Sequence, residues 1–301
     1  MNGEVRPKIA VFDSGVGGLT VLRAIVDRIP NADYIYFGDT ARLPYGSKSR
    51  ETIARYAIGA AQFLQQQGAT LLVIGCNTAS AMALYDVKGA VRIPVIGVIE
   101  PGADRASEVS QSREAVVIGT EATVAAHAYQ RALARRGFAT HEKACPLFVS
   151  LVEEGWTDHP VTEEVARIYL AEALNAASAK TDVLVLGCTH YPLIKDVLRR
   201  VLPKRITIID SAESTAIAVQ EELRDSAASG KLEKSLPSTR VILREGCAEQ
   251  RASEVAGSFV SAVEPPTFRF FVTDSVDKFR RMAPLFLGRP VDNVEHVDLG
   301  G

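Results

Sequence analysis

Two apolar runs in this chain end in the same way, and that match constrains the fold more than any other feature. The first, LLVIGCNTAS, places Gly75 before Cys76 and continues with Asn77, Thr78 and Ser80. The second, VLVLGCTHYP, places Gly187 before Cys188 and continues with Thr189, His190 and Pro192. Each run is short, aliphatic and closed by a glycine corner, as a strand buried on both faces of a parallel sheet should be. A thiol at the C-terminal mouth of such a strand stands where open α/β sheets bind their ligands.

The flanking sequence alternates strand and helix. KIAVFDSG reads as a strand ending in Asp13-Ser14-Gly15, and Gly17-Gly18-Leu19-Thr20 opens a helix through about Arg28. YIYFGD is a second strand closed by Gly38-Asp39, and the loop TARLPYGSKS carries Pro44, Tyr45 and Gly46. Helical spacing runs from Arg50 to Gln67; a helix near Ser80 to Val87 and the strand PVIGVIEPGA follow the first Gly-Cys corner. Such alternation implies parallel strands joined by crossover helices. The order then repeats. AVVIGTEATV, ending in Gly119-Thr120, stands to Cys188 much as VFDSG stands to Cys76, and RITIIDSAEST follows Cys188 at about the distance that PVIGVIEPGA follows Cys76. The expected fold class is therefore α/β: two similar parallel-sheet α/β domains facing each other across a central cleft. Residues 1–98 with 208–301 are expected to form a discontinuous first domain carrying Asp13 and Cys76. Residues 99–207 are expected to form the second, carrying Cys188 and His190. The tail elements FRFFVTDS (strand) and DKFRRMAPLFLG (helix stopped by Gly288) are expected to pack back on the first domain, while about 227–266 is polar and without an earlier counterpart.

Composition narrows the function classes. A chain of 301 residues with 47% apolar and 23% charged residues has the make-up of a globular protein with room for two such domains. A net charge of −2 gives no electrostatic case for nucleic acid or an anionic membrane. No apolar run approaches the roughly 18 residues of a membrane helix. The N-terminus lacks the apolar region of a secretory signal, and four cysteines with no CxxC suit a reducing cytoplasm. Cys145 and Cys247 read as small buried hydrophobes.

The chemistry follows from having two matched thiols. Each stands where a helix begins, with donors on the next residues, a setting that lowers a thiol's ordinary pKa. Acyl transfer needs one nucleophile with one base, so a second, mirrored thiol would be redundant. A pair of thiols is what a reaction needs when a proton leaves one face of a carbon and arrives on the other. The arrangement points to racemisation or epimerisation at an acidified carbon. There is no Walker A motif, no HExxH, no Cys/His metal spacing and no lysine beside either corner to anchor pyridoxal phosphate, so neither metal nor cofactor is expected. Hydrogen bonds would have to acidify the substrate. Ser14, Asn77, Thr78, Thr120 and Thr189 offer neutral donors for a carboxylate. Asp13 suits a substrate ammonium or a proton relay beside Cys76, and His190 suits the same part beside Cys188. Taken singly, each of these residues also fits a helix cap or strand-end turn.

With IAVFDSGVGGLTVL, YFGDTARLPYGSKS, VIGCNTASA, PVIGVIEPGA, VIGTEATV, CPLFVSLVEEG, LGCTHYPLI and FFVTDSVDKFRRMAPLFLG in this order, the chain resembles the glutamate racemases of the cofactor-independent aspartate/glutamate racemase superfamily. The resemblance covers nearly the whole chain. It implies two thiol bases, Cys76 acting on D-glutamate and Cys188 on L-glutamate, with Asp13, Glu153 and His190 tuning them or relaying protons. It also implies substrate contacts at Asp13-Ser14, Tyr45-Gly46, Asn77-Thr78 and Thr189-His190, with Thr120 lining the cleft. D-Glutamate made in a bacterial cytoplasm for the peptidoglycan peptide, by a homodimer, is the implied setting. Ser150 stands where such proteins often carry proline, and the stretch 232–266 is longer than usual. His190 replaces the acidic residue that aspartate racemases tend to carry after the second Gly-Cys-Thr, which favours glutamate. The rival readings are a racemase of aspartate or another amino acid and a non-catalytic amino-acid-binding protein. Two others are a dinucleotide loop at Gly15, Gly17 and Gly18 with Asp39 on the ribose, and dithiol redox between the two cysteines.

Overall fold

A computed structural model describes residues 6–228 and 265–300. The chain forms two parallel sheets. The first holds β1 (Lys8–Asp13), β2 (Asp33–Gly38), β3 (Leu71–Ile74) and β4 (Val95–Gly97); the second holds β5 (Glu114–Gly119), β6 (Ala139–Ala144), β7 (Val183–Gly187) and β8 (Thr207–Asp210). Near the C-terminus β9 (Phe268–Val272) pairs with β2, and β10 (Val294–His296) pairs with β9, so the tail extends the first sheet. The sheet orders are β10-β9-β2-β1-β3-β4 and β6-β5-β7-β8. Without the two tail strands, both sheets have the same order, with the first strand of each half in the middle and the Gly-Cys strand beside it. The repeat seen in the sequence is thus a repeat of topology.

Burial explains why these segments become strands. Successive side chains on a strand point to opposite faces. On β1, Ile9 and Val11 enter one core and Ala10 and Phe12 the other; on β3, Leu71 and Val73 part in the same way from Leu72 and Ile74. Both faces are covered by helices, so every second residue must be apolar on each side. The outer core lies under the helices Arg50–Gln66 and Asn77–Ala90. The larger core runs beneath the helices Leu19–Arg28, Ile99–Val109 and Ser211–Ala228 and is continuous with Val116–Ile118 and Val183–Leu186 of the second sheet. The two halves therefore share one body of packed apolar side chains behind the cleft.

Several boundaries differ from those expected. The strand Thr207–Asp210 pairs with β7, with Ile209 beside Val185, so the second sheet ends after Asp210 rather than at residue 207. The crossing back is made by the helix Ser211–Ala228, which packs on Leu19–Arg28 and Ile99–Val109. The helix after the first corner begins at Asn77, not near Ser80, because the Cys76 sulfur itself accepts the Ala79 N–H at 3.4 Å and caps it. Strand β6, ATHEKA, was not anticipated. It is an edge strand with one sheet neighbour and no alternating apolar pattern. The tail helix Val276–Leu287 stops at Gly288, whose φ of +79° is a left-handed cap that glycine accepts without strain. Ser150 is exposed on the short helix Leu147–Glu153. Cys247 and the stretch 232–264 lie outside the described residues. No described helix is long and apolar enough to cross a membrane.

Candidate active site

The C-terminal ends of β1 and β3 in one half meet those of β5 and β7 in the other. Asp13 closes β1 and Cys76 follows β3; Thr120 follows β5 and Cys188 follows β7. Cys76 and Cys188 are 6% and 5% exposed, so both sulfurs are nearly sealed from solvent. Both are free thiols, as is buried Cys145.

The surroundings of the two thiols differ. The Cys76 S–H donates to Ser14 Oγ at 3.5 Å, and the sulfur accepts the Ala79 N–H. Asp13 lies buried beside it, its Oδ2 accepting the Gly15 N–H at 2.9 Å and its Oδ1 without a partner among the described residues. Burial pushes the Cys76 thiol up to about 12, with the nearby Asp13 charge acting in the same sense. The helix start was expected to lower this thiol. The correction has a physical cause: in a cleft closed to water, the loss of solvation outweighs the hydrogen bonds with Ser14 and Ala79 that act the other way. Burial also raises the Asp13 carboxyl, against the amides that hold it.

On the other side, His190 Nδ1 lies 3.9 Å from the Cys188 sulfur, and its Nε2 lies 3.1 Å from Glu153 Oε1. Burial works against protonating this imidazole, yet its hydrogen bonds to Cys188 and Glu153 prevail and raise it to about 10. The hydrogen bond from His190 holds Glu153 below the usual carboxylate range. Phe286 of the tail helix meets the His190 ring edge-on, at 5.2 Å between centroids. An imidazole that holds its proton more firmly than usual thus stands beside Cys188, oriented from the far side by a carboxylate.

Polar contacts cross the cleft between the corners. Thr78 Oγ1 lies 3.1 Å from the hydroxyls of both Thr120 and Thr123, which are themselves 2.9 Å apart. Thr20 Oγ1 lies 3.0 Å from the Thr189 carbonyl and 2.9 Å from that of Gly17, and can donate to either. Tyr129 donates its hydroxyl to Asn77 Oδ1 at 2.7 Å, leaving Asn77 Nδ2 buried and without a partner among the described residues. Gly46 faces Thr120: a Cβ built on Gly46 would lie 4.0 Å from the Thr120 Cβ. The structure thus brings Asp13, Ser14, Gly46, Cys76, Asn77, Thr78, Thr120, Glu153, Cys188, Thr189 and His190 together.

Tyr45 is the exception among the expected contacts. Its ring packs near Phe12 and Tyr56, and its hydroxyl donates to Asp39 Oδ2 at 2.6 Å, so only its backbone is left for the cleft. Three residues of the site were missed. Thr123 had a legible signal, one helical turn after the Thr120 cap; Thr20 and Tyr129 had none, since only the meeting of the halves brings them to Thr189 and Asn77.

The glycine-rich turn has its explanation here. A Cβ on Gly17 would stand 2.3 Å from Thr189 Oγ1 and 2.7 Å from His190 Nδ1, so Gly17 lets the second half approach. Asp39 is fully buried and already accepts from Tyr45, Thr273 and Arg42, so it is closed to a ribose. The dinucleotide reading has no support in this geometry.

Two mirrored strand ends, each carrying one thiol, with acid/base groups behind both, define an isomerase of the proton-transfer type. Residues 14–219 match the Asp/Glu/Hydantoin racemase family, and the chain belongs to that family. It is an amino-acid racemase. It is 56% identical to a glutamate racemase of Koribacter versatilis, over 98% of this chain and 99% of that one. Among solved structures it is similar to the Francisella tularensis glutamate racemase in complex with D-glutamate, at 34% identity and a TM-score of 0.78, with 98% of each chain covered. It is also similar to the Thermus thermophilus glutamate racemase in complex with β-chloro-D-alanine, at 40% identity and a TM-score of 0.77, again with 98% of each chain covered.

Proposed function

We propose that this racemase interconverts L- and D-glutamate by a two-base mechanism in which Cys76 and Cys188 work from opposite faces of the α-carbon. The observation that carries the reading is the pairing of unlike proton environments at equivalent corners. Cys76 is a buried thiol beside a buried carboxyl, and Cys188 stands beside an imidazole raised to about 10. In the L-to-D direction Cys188 takes the α-proton and Cys76 delivers its own to the other face; in the reverse direction the roles exchange. Asp13 relays the proton at Cys76, while His190, held by Glu153, does so at Cys188. The substrate carboxylate is met by the Asn77 amide and the hydroxyls of Thr78, Thr120 and Thr189, which draw charge from the α-carbon as the proton leaves. Ser14 and the Tyr45-Gly46 backbone complete the substrate contacts. No group outside the chain is needed for these steps.

Glutamate is favoured by His190 at the position after Gly-Cys-Thr and by the glutamate racemases that this chain matches over nearly its full length. The product would supply the peptidoglycan peptide from the cytoplasm, where the free thiols stay reduced, and the working form would be a homodimer. The test is incubation of the purified protein, with no cofactor added, with L-glutamate in deuterium oxide. D-Glutamate carrying deuterium at the α-carbon is expected; folded, reduced protein giving neither exchange nor D-isomer would sink the proposal.

A further inference from the structure

Tyr129 lies on the short helix Ala128–Ala134 of the second half and is fully buried. Its ring is gripped between two glycines. A Cβ on Gly102 would stand 3.3 Å from its Cε1, and one on Gly187, next to Cys188, would stand 3.2 Å from its Cε2. Its hydroxyl reaches across to the residue after Cys76 and donates to Asn77 Oδ1 at 2.7 Å. One side chain therefore touches both Gly-Cys corners. Burial pushes the phenol above its ordinary range, so it stays protonated and keeps its hydrogen to give.

The far end of the same amide makes the contact informative. Asn77 Nδ2 is buried, with no partner among the described residues. A buried amide N–H2 left unpaired is costly, and such groups in native proteins have a reason. An asparagine amide has two chemically opposite ends, and a neighbour that binds one end decides which way the other faces. A hydroxyl given to Oδ1 leaves the donor end, on the residue that follows Cys76, free for a carboxylate. The reverse orientation would set Oδ1 against that carboxylate, oxygen against oxygen.

We propose that Tyr129 is a positioning residue of this site: its hydroxyl orients the Asn77 amide so that Nδ2 is held for the substrate carboxylate, while its ring seats the Cys188 corner. The proposal rests on the reading that the cleft binds glutamate. Tyr129→Phe removes one oxygen and keeps the ring between its two glycines. It should raise KM for both enantiomers by roughly five- to a hundredfold, the worth of one buried donor. The limbs of the kcat/KM pH profile should stay in place, because neither thiol loses a contact. In an Asn77→Ala background the same change should add less than about twofold, since the group it acts through is gone. Tyr129→4-aminophenylalanine, which keeps a donor at the ring tip, should hold KM within a few fold of the unsubstituted protein. It carries the test if the phenylalanine variant does not fold. A KM within twofold of normal for Tyr129→Phe overturns the proposal, as does an undiminished loss in the Asn77→Ala background or a failed rescue by the amine. If the unsubstituted protein does not racemise glutamate, both readings fall; normal turnover with an unmoved KM removes this one alone.

Discussion

At Cys76 the sulfur meets a hydroxyl, a backbone amide and, close by, the Asp13 carboxyl, whereas at Cys188 it meets an imidazole. On the two-thiol proposal each sulfur handles the α-proton of one enantiomer, so losing either thiol should abolish racemisation. A substrate with a leaving group on the β-carbon needs only the first abstraction and then eliminates. Cys76→Ala should therefore still eliminate from the L-isomer and Cys188→Ala from the D-isomer, each losing the opposite reaction, with pyruvate-type keto acid release as the readout. Cys145→Ala should keep both, because that sulfur is buried just past the end of β6 and donates to the Lys143 carbonyl rather than into the cleft. If one cysteine variant lost elimination from both isomers while the other kept both, the site would have a single base. Burial reshapes intrinsic chemistry here: Cys76 caps a helix, yet desolvation, not the helix, raises its proton affinity.

The turn between β1 and the helix Leu19–Arg28 shows what an element can contribute beyond its own conformation. Gly17 is not at a positive φ; it is glycine because Thr189 and His190 occupy the space a side chain would fill. Gly17→Ala would place a methyl 2.3 Å from Thr189 Oγ1 and 2.7 Å from His190 Nδ1, which requires those side chains of the second corner to shift. Activity should fall at least tenfold, an order expected of a roughly 1 Å misplacement of reacting groups. The melting temperature should change much less, because the sheets and their cores lie behind the contact. Activity within twofold of normal would mean that the halves need not approach this closely for turnover. The tail strands make a related point: β9 enters the first sheet beside β2, and Phe271 packs edge-on to Phe63 at 5.0 Å, so sequence far from β1 completes the sheet that carries Asp13.

His190 is where the whole molecule converges, with Cys188 from its own corner, Glu153 from a neighbouring helix, Phe286 from the tail and Gly17 from the other half. Its pKa of about 10 exceeds the unfolded value near 6.5, so the folded protein binds this proton more tightly. The resulting stabilisation is complete below about pH 6.5, weakens as pH rises and is lost above about 10. Cys76 adds to the fall at higher pH, since the unfolded thiol ionises near 9.0 and the folded one near 12. Urea midpoints should therefore decline between pH 6.5 and 10, and His190→Asn should flatten that decline; an equal slope in the variant would rule out His190 as its source. Much of this molecule was legible in the chain. Unbroken apolar runs alternating with helical segments pointed to parallel strands, because a sheet covered on both faces requires such runs, and matched Gly-Cys corners located the mouths of β3 and β7. Period and composition act locally, so they speak for elements and their ends. They could not reveal β6, an edge strand with little to bury, or the true end of the second sheet at Asp210, which depends on which strand pairs with β7. Nor could they supply the reach of Tyr129 to Asn77, that of Thr20 to Thr189, or the inward turn of Tyr45 onto Phe12 and Tyr56, which depend on other segments. Tertiary structure alone decided those, and the proton affinities with them, because solvent exclusion and cross-cleft hydrogen bonds exist only once the two halves have met.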